Sequence, residues 1–514
     1  MIWEDLIKTA LIGTDRTKLS ENTLKALTTL GIDPDAHPAK IVMDAVGLYA
    51  PMQKVAKPLD TWQTALPAPC PPETAPLCHA DSIQHLAMIL NSNYHGEILN
   101  EFLGHMQRYQ MVLPAEQLPV LLHRCRNNAK LWKLLQTVIG QKGHWLIQQN
   151  PAWHYLQIET QATDWETGTK AMRVNYFQKY RSENPQKAVN LLISQWAKED
   201  FRTRLLFLNC LTDNLSLSDE TFLEDSLKDR KKELRGAAAK LLARIDGAAF
   251  NVRIGDKIKT VLQFEKNLLK KDSLELLLPE LDDPFFKENG IETGQHQYTG
   301  GSKAGLVGQL ISLLPPSKWK NLLGKNKLDT LKLFARSKWN TLLFEAVIEA
   351  SILHQDTDWM RAILQFISQE KNQNLRPQLS FDRLFAVLPD DVFNETALLL
   401  FGQQRLLPDE NDLLTKLLQN KVRPWEDKLS LCFLESLKEW ILRSDNAWGG
   451  WHYKQVLAVA QYAVDPDRYK LFTQDWPEQA RNWHSWVEPV ERFLGIVNFR
   501  KKMALAFKNN DDEK

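Results

Sequence analysis

The chain has 514 residues, 44% of them hydrophobic and 25% charged, which is the composition of a globular protein and excludes a disordered one. Lys plus Arg number 64 against 63 for Asp plus Glu, so the formal charge is +1. That balance argues against a chain whose whole surface binds nucleic acid or membrane, and leaves room for a local basic patch. Only 22 glycines and 24 prolines interrupt a leucine-rich sequence, which leans all-α. The five cysteines (Cys70, Cys78, Cys125, Cys210, Cys432) are odd in number and form no CxxC. Neither a disulfide framework nor a zinc ribbon is indicated. The acidic start, and the lack of any apolar run near the roughly 20 residues that span a bilayer, predict a reduced, cytoplasmic protein.

In chain order, residues 1–56 read as an N-terminal helical segment, with Leu6, Ile7, Ala10 and Leu11 on one face. Six prolines at 58, 67, 69, 71, 72 and 76 make 57–82 a stiff extended connector, either solvated or laid across the helices that follow. Residues 83–265 read as helix pairs. Glycines and the Asp282-Asp283-Pro284 turn make 266–305 an irregular connector, including a short apolar run from Leu274 to Leu278. Residues 306–508 read as a C-terminal helical domain and 509–514 as a disordered tail.

The stretch 184–246 is the most regular. Asn184-Pro185 opens one helix, with Ala188, Val189, Leu192 and Trp196 on its apolar side. Ser218 is the expected cap of a later helix. Leu234, Ala237, Ala238, Leu241 and Leu242 form the face of its partner, where small alanines permit close approach. Asn150, Asn184 and Ser218 suggest a period of 34 residues, the mark of an α-solenoid in which no single pair buries its own apolar face. Lys228-Asp229-Arg230-Lys231 is the turn between two helices. Asp229 is placed to take orphan N–H groups, and Arg235 is expected to be partly buried against a carboxylate, Asp229 or Asp225.

The run Lys228 to Leu242 resembles the second half of a HEAT repeat. A wider set of segments resembles a bacterial family of unknown function, generally encoded beside MoxR-type AAA ATPases, von Willebrand A-domain proteins and SWIM zinc-finger proteins. These segments are Trp3 with Thr9-Ala10-Leu11-Ile12-Gly13-Thr14-Asp15-Arg16, and Trp165-Glu166-Thr167-Gly168 with Arg173. Further on come Asn184-Pro185, Trp196, Glu199, Arg204, Asp219 to Glu224, and Gly300-Gly301-Ser302-Lys303-Ala304 leading to Pro315 and Trp319. The resemblance implies a HEAT-like helical fold and a MoxR-type ATPase or a von Willebrand A-domain protein as partner. It implies no chemistry.

Tests for chemistry assign no catalytic, cofactor or metal residue. Gly300-Gly301-Ser302-Lys303 holds P-loop residue types in the wrong order, and a flexible connector is the better reading. Cys70, Cys78, His79 and His85 match no zinc spacing, and neither HExxH nor GxSxG occurs. Most tryptophans fall at helical core positions, and Trp476, Trp483 and Trp486 form a candidate apolar surface. One stripe competes with these bland readings. Lys318, Lys320, Lys325, Lys327, Lys332, Arg336 and Lys338 accompany one acid, with Trp319 and Trp339 interleaved, and such a stripe can track phosphates while aromatics stack on bases. The sequence therefore predicts a HEAT-like α-solenoid acting as a non-enzymatic scaffold for protein partners, with nucleic-acid binding or processing as the alternative. The candidate interaction surface is Lys228, Arg230, Lys231, Lys232, Lys318, Trp319, Lys320 and Lys338.

Overall fold

The computed structural model describes the chain except residues 1, 56–66, 92–95, 157–161, 267–270, 294–297, 299, 445–449 and 509–514. The proposed tail and part of the proline-rich connector lie outside the described residues. The fold is all-α apart from one two-stranded hairpin among those residues. Among the described residues no helix is long and apolar enough to cross a membrane. The chain divides into two compact units, Met1–Pro69 and Cys70–Lys514.

The first unit holds helices Ile2–Ile12, Glu21–Thr29 and Pro38–Val55 around Leu6, Leu27, Ile41 and Ala45. Ser20 caps the second helix by accepting the Thr23 N–H, and its hydroxyl donates to Asp5 on the first. One short polar link thus fixes the angle between two helices that have few apolar residues to share.

In the second unit several helices pack against their next neighbour but one. Lys170–Glu183 touches Phe201–Cys210, which touches Lys232–Arg244. Later, Thr357–Ser368 touches Asp390–Gln403, which touches Asp427–Arg443. The parallel row runs from Leu413–Asn420 through Trp451–Ala463 to Val487–Lys508. One apolar cluster extends without a break from Trp165 to Val497, so residues 266–305 do not separate two domains. A smaller cluster runs from Cys78 to Leu156 and is completed by Met503 and Phe507. The last helix therefore belongs to both cores: Val490, Phe493 and Val497 sit in the large one, Met503 and Phe507 in the small one.

The proline-rich segment is laid across helices where it is described. Val112 donates to the Pro76 carbonyl and Cys78 to the Val112 carbonyl. The Glu73 carboxylate accepts the N–H groups of Gln141 and Lys142, each at 2.8 Å, capping helix Gly140–Gln149. Glycine is required at 140, since φ is +62° and a Cβ there would lie 2.5 Å from the Glu73 carboxylate. Glu73→Ala is expected to cost about 1 kcal/mol in urea denaturation, the usual worth of a helix cap.

Three local expectations are corrected. Ser218 does not cap: the Asp219 carboxylate accepts the Ser216 N–H, and a short turn at Leu217–Asp219 precedes helix Glu220–Ser226. Residues 262–276 are not helix and coil. Leu262–Glu265 pairs antiparallel with Ser273–Leu276, matching Leu262 with Leu276 and Phe264 with Leu274. A two-residue alternation only four residues long is masked in the sequence by the helical pattern before it. Residues 301–305 are helix rather than connector, and Gly294 of the expected connector lies outside the described residues. Helix Gly301–Leu313 starts at Gly301 and is buried from Ala304 to Ile311, and a Cβ at Gly308 would stand 2.7 Å from the Tyr298 ring.

His354 closes this region, its Nε2 3.1 Å from the Leu313 carbonyl. Burial pushes its imidazole down to about 4 from an ordinary 6.5, against the opposing pull of that hydrogen bond. The folded state binds the proton less well than the unfolded chain. The stability this contributes is present above pH 6.5 and is lost as pH falls toward 4, amounting to about 3 kcal/mol. Denaturation across that window is expected to show the loss, and His354→Gln to flatten it.

Candidate functional site

Three helices repeat one another in register. Their N-cap positions are Thr169, Asp200 and Lys231, a step of 31 residues rather than the 34 read from the sequence. Four residues into each helix stands an arginine: Arg173, Arg204 and Arg235. Arg173 donates from Nε to the Trp165 carbonyl at 3.0 Å, lies 5.0 Å over the Trp165 ring and pairs with Glu199. Arg204 repeats this one step on. It donates to the Trp196 carbonyl at 3.0 Å, lies 5.4 Å over that ring and meets Asp229 at 3.1 Å. Each guanidinium thus joins the preceding unit's aromatic and carbonyl to the next unit's carboxylate, which sets the stacking distance between helix pairs.

The third step departs from the first two. Leu227 stands where Trp165 and Trp196 stood, and Arg235 donates to the Asp229 carbonyl. Arg235 is buried and paired with a carboxylate, as expected, but its partner is Glu292, at 2.7 Å from Nε. Asp229 is already occupied, with Oδ2 on Arg204 and Oδ1 accepting the Lys231 N–H at 2.8 Å. Asp225 is on the surface with Lys228. The segment after the hairpin supplies what the next repeat would have supplied. Double-mutant cycles on Arg235 and Glu292 are expected to give a coupling above the ~1 kcal/mol of an exposed pair.

Where the ladder meets this inserted segment there is a cleft of about 700 Å³. Leu227, Pro284 and Phe285 supply its apolar surface, and Lys228, Arg253 and Lys287 its outer cations. Arg253 takes both oxygens of Glu224, at 2.9 and 3.0 Å, and donates to Asn289 Oδ1 at 3.1 Å. Lys257 sits 5.0 Å from the centre of the Phe285 ring and 2.6 Å from Asp283. Sequence reasoning missed Arg253 and Glu292. Arg253 differs from an ordinary surface cation only through a carboxylate 29 residues away, and Glu292 acts 57 residues from its partner.

The candidate surface residues fall in different settings. Lys228 lines the cleft, and Arg230, Lys231 and Lys232 continue along its turn, all exposed. None of the 318–338 stretch lines it. Lys318 and Lys320 are exposed, whereas Lys338 meets Glu275 at 2.6 Å. Lys325, Lys327 and Lys332 are likewise paired, with Asp272, Asp358 and Asp329. Trp319 is not a surface residue. It is completely buried, edge-on to Phe334 at 5.0 Å, because the short helix Trp319–Leu323 turns its apolar side to the core. Trp339 is half-buried against the same core. The C-terminal tryptophans are also packing elements: Trp486 is buried against Trp440, and Trp476 pairs with Trp483.

Burial pushes the thiols of Cys78 and Cys210 up to about 11 and that of Cys125 to about 12, which leaves them without nucleophilic thiolate near neutrality. Among the described residues no three His, Cys, Asp or Glu side chains stand together as a metal site would require.

Fold and site together define an all-α protein in which an arginine ladder links successive helices and ends at a charged cleft. The chain belongs to the family described as "Family of unknown function (DUF5691)", whose model matches residues 5–507. No curated protein matches the sequence.

Proposed function

We propose that this chain is a non-enzymatic helical-repeat scaffold or adaptor that docks protein partners, with the 228–232 turn and its adjoining cleft as the docking face. One observation carries the reading. The turn's single acid, Asp229, faces inward to Arg204 and the Lys231 N–H, while Arg230 and Lys231 remain exposed beside an open cavity. Asp229 is engaged within the fold, and Arg230 and Lys231 carry the outward charge of this turn. The partner implied by the family resemblance is a MoxR-type AAA ATPase or a von Willebrand A-domain protein in the cytoplasm. The nucleic-acid alternative retains Lys318, Lys320 and Arg336 as exposed cations but loses Trp319 as a stacking platform.

Affinity purification from the native host, with wild-type protein and with Arg230→Glu/Lys231→Glu, tests this. Recovery of either partner by the wild type and its loss from the variant is the expected result. Recovery of neither partner would overturn the partner assignment, and equal recovery by both proteins would overturn the 228–232 turn as the docking face.

A further inference from the structure

We infer that the cleft beside the 228–232 turn takes an acidic peptide segment of its partner, one that carries a large apolar side chain among its carboxylates. The inference rests on the docking reading above and specifies its chemistry.

Charge bookkeeping within the cleft gives the sign of the occupant. Glu224 is held by Arg253, Asp229 by Arg204, and Arg235 by Glu292. These groups neutralise one another and present little field outward. Among the described residues Arg230 and Lys231 on one edge and Lys287 on the opposite wall have no carboxylate partner, against Glu288 as the lining acid without a cation. The unpaired excess lies on the 228–232 edge, since Lys287 and Glu288 are neighbours on one helix and offset each other. A segment bearing carboxylates that enters past this edge meets Arg230 and Lys231 there and Lys287 across the opening, whereas a basic segment is repelled by the edge.

The apolar lining gives the rest of the occupant. Leu227, Pro284 and Phe285 are the apolar residues lining a cavity large enough for one or two side chains. Phe285 is half-buried, edge-on to Phe286 with the Lys257 ammonium over its ring, so it is poorly placed to stack a base. An aliphatic or aromatic peptide side chain needs only contact area and finds it there. The third helix step explains why the patch exists here. Leu227 replaces the tryptophan that carries the arginine in the two preceding units, and helix Pro284–Glu288 lines the same cleft.

The test uses the full-length chain and a fluorescein-labelled peptide of about a dozen residues, Glu and Asp flanking a central Leu-Phe pair. Its controls have Ala-Ala in place of Leu-Phe, or Lys in place of every acid. Anisotropy titrations should show binding of the acidic Leu-Phe peptide that weakens steeply from roughly 50 to roughly 300 mM salt. The Ala-Ala control should bind more weakly and the Lys control not at all. Arg230→Glu/Lys231→Glu and, separately, Lys287→Glu should each weaken binding at least tenfold, while Lys318→Glu/Lys320→Glu leaves it unchanged. All substituted residues are exposed, and an unaltered melting temperature establishes that the variants fold. Hydrogen exchange with bound peptide should show protection at 227–231 and 284–289.

Absence of binding, equal affinity for the variants, protection confined to other segments, or displacement of the peptide by a single-stranded oligodeoxynucleotide at lower concentration would each overturn the inference. The two readings fail separately. A native protein partner retained by Arg230→Glu/Lys231→Glu but lost on substitution elsewhere would remove the acidic-segment inference and keep the scaffold. Peptide binding at the cleft with neither proposed partner recovered would remove that partner assignment and keep the site.

Discussion

Arg181→Ala is expected to lower stability by about 3–5 kcal/mol, the usual cost of breaking a buried ion pair by removing one member. The Arg181 side chain and its partner Asp219 are both 0% exposed. The guanidinium donates to the two Asp219 oxygens at 2.7 and 2.6 Å, and its other N–H groups reach the carbonyls of Asp213, Asn214 and Pro185. One side chain thus satisfies two turn carbonyls, of Asp213 and Asn214, and the carbonyl of Pro185 at the start of helix Pro185–Trp196. Alanine leaves those carbonyls and a carboxylate inside the core, with the Ser216 N–H as the remaining donor to Asp219. The double variant Arg181→Ala/Asp219→Ala should recover part of the loss, since the stranded charge is then gone. Urea denaturation measures both. A loss under about 1 kcal/mol for the single variant would mean that the pair is solvated and the turn held by other contacts.

Arg500→Ala is expected to open the contact between the last helix and the first helices of the second unit, at about 3 kcal/mol for a largely buried pair. From helix Val487–Lys508, Arg500 donates to Glu101 at 2.6 and 3.2 Å and to the carbonyls of Gln461 and Val464 at 3.0 and 2.9 Å. It ties helix Gly96–Arg108 to the C-terminal end of helix Trp451–Ala463, where a cation favours the negative end of the dipole. Phe507 continues the contact against Phe102 and His105, with ring centres 5.1 and 5.4 Å apart, and the Ser82 hydroxyl donates to the Ala506 carbonyl. Hydrogen exchange should quicken across 80–108 in the variant while 170–244 keeps its protection, because the two stretches belong to different cores. Unchanged exchange in 96–108 would show that the apolar contacts suffice.

Much of the architecture was legible because helix formation is local. The apolar face holding Leu234, Ala238, Leu241 and Leu242 is buried as its spacing implies, with Ala238 completely enclosed. Burial of Arg235 was legible for the same reason, since position on the helix decides which way the side chain points. Its partner was not, because Glu292 reaches it through a chain reversal that no periodicity encodes. The period was misread from Asn150, Asn184 and Ser218, which mark loops of unequal length. Helices Lys170–Glu183, Phe201–Cys210 and Lys232–Arg244 keep the step of 31 because the arginine of each reaches back to a carbonyl just upstream. Trp319 was misplaced because basic neighbours in sequence suggested a surface. On a helix one residue can face the core while those beside it face water, and Lys318 and Lys320 do so.

Site-specific photocrosslinking in the native host tests the central claim, that the 228–232 turn and its cleft dock a protein partner. A photoreactive residue in place of Arg230 or Lys287 should give a discrete protein adduct whose crosslinked peptide, read by mass spectrometry, is acidic and maps to a MoxR-type ATPase or a von Willebrand A-domain protein. The same residue in place of Lys318 should not give that adduct. Crosslinks from Arg230 and Lys287 to nucleic acid, to no macromolecule, or to the same proteins as from Lys318 would contradict the account.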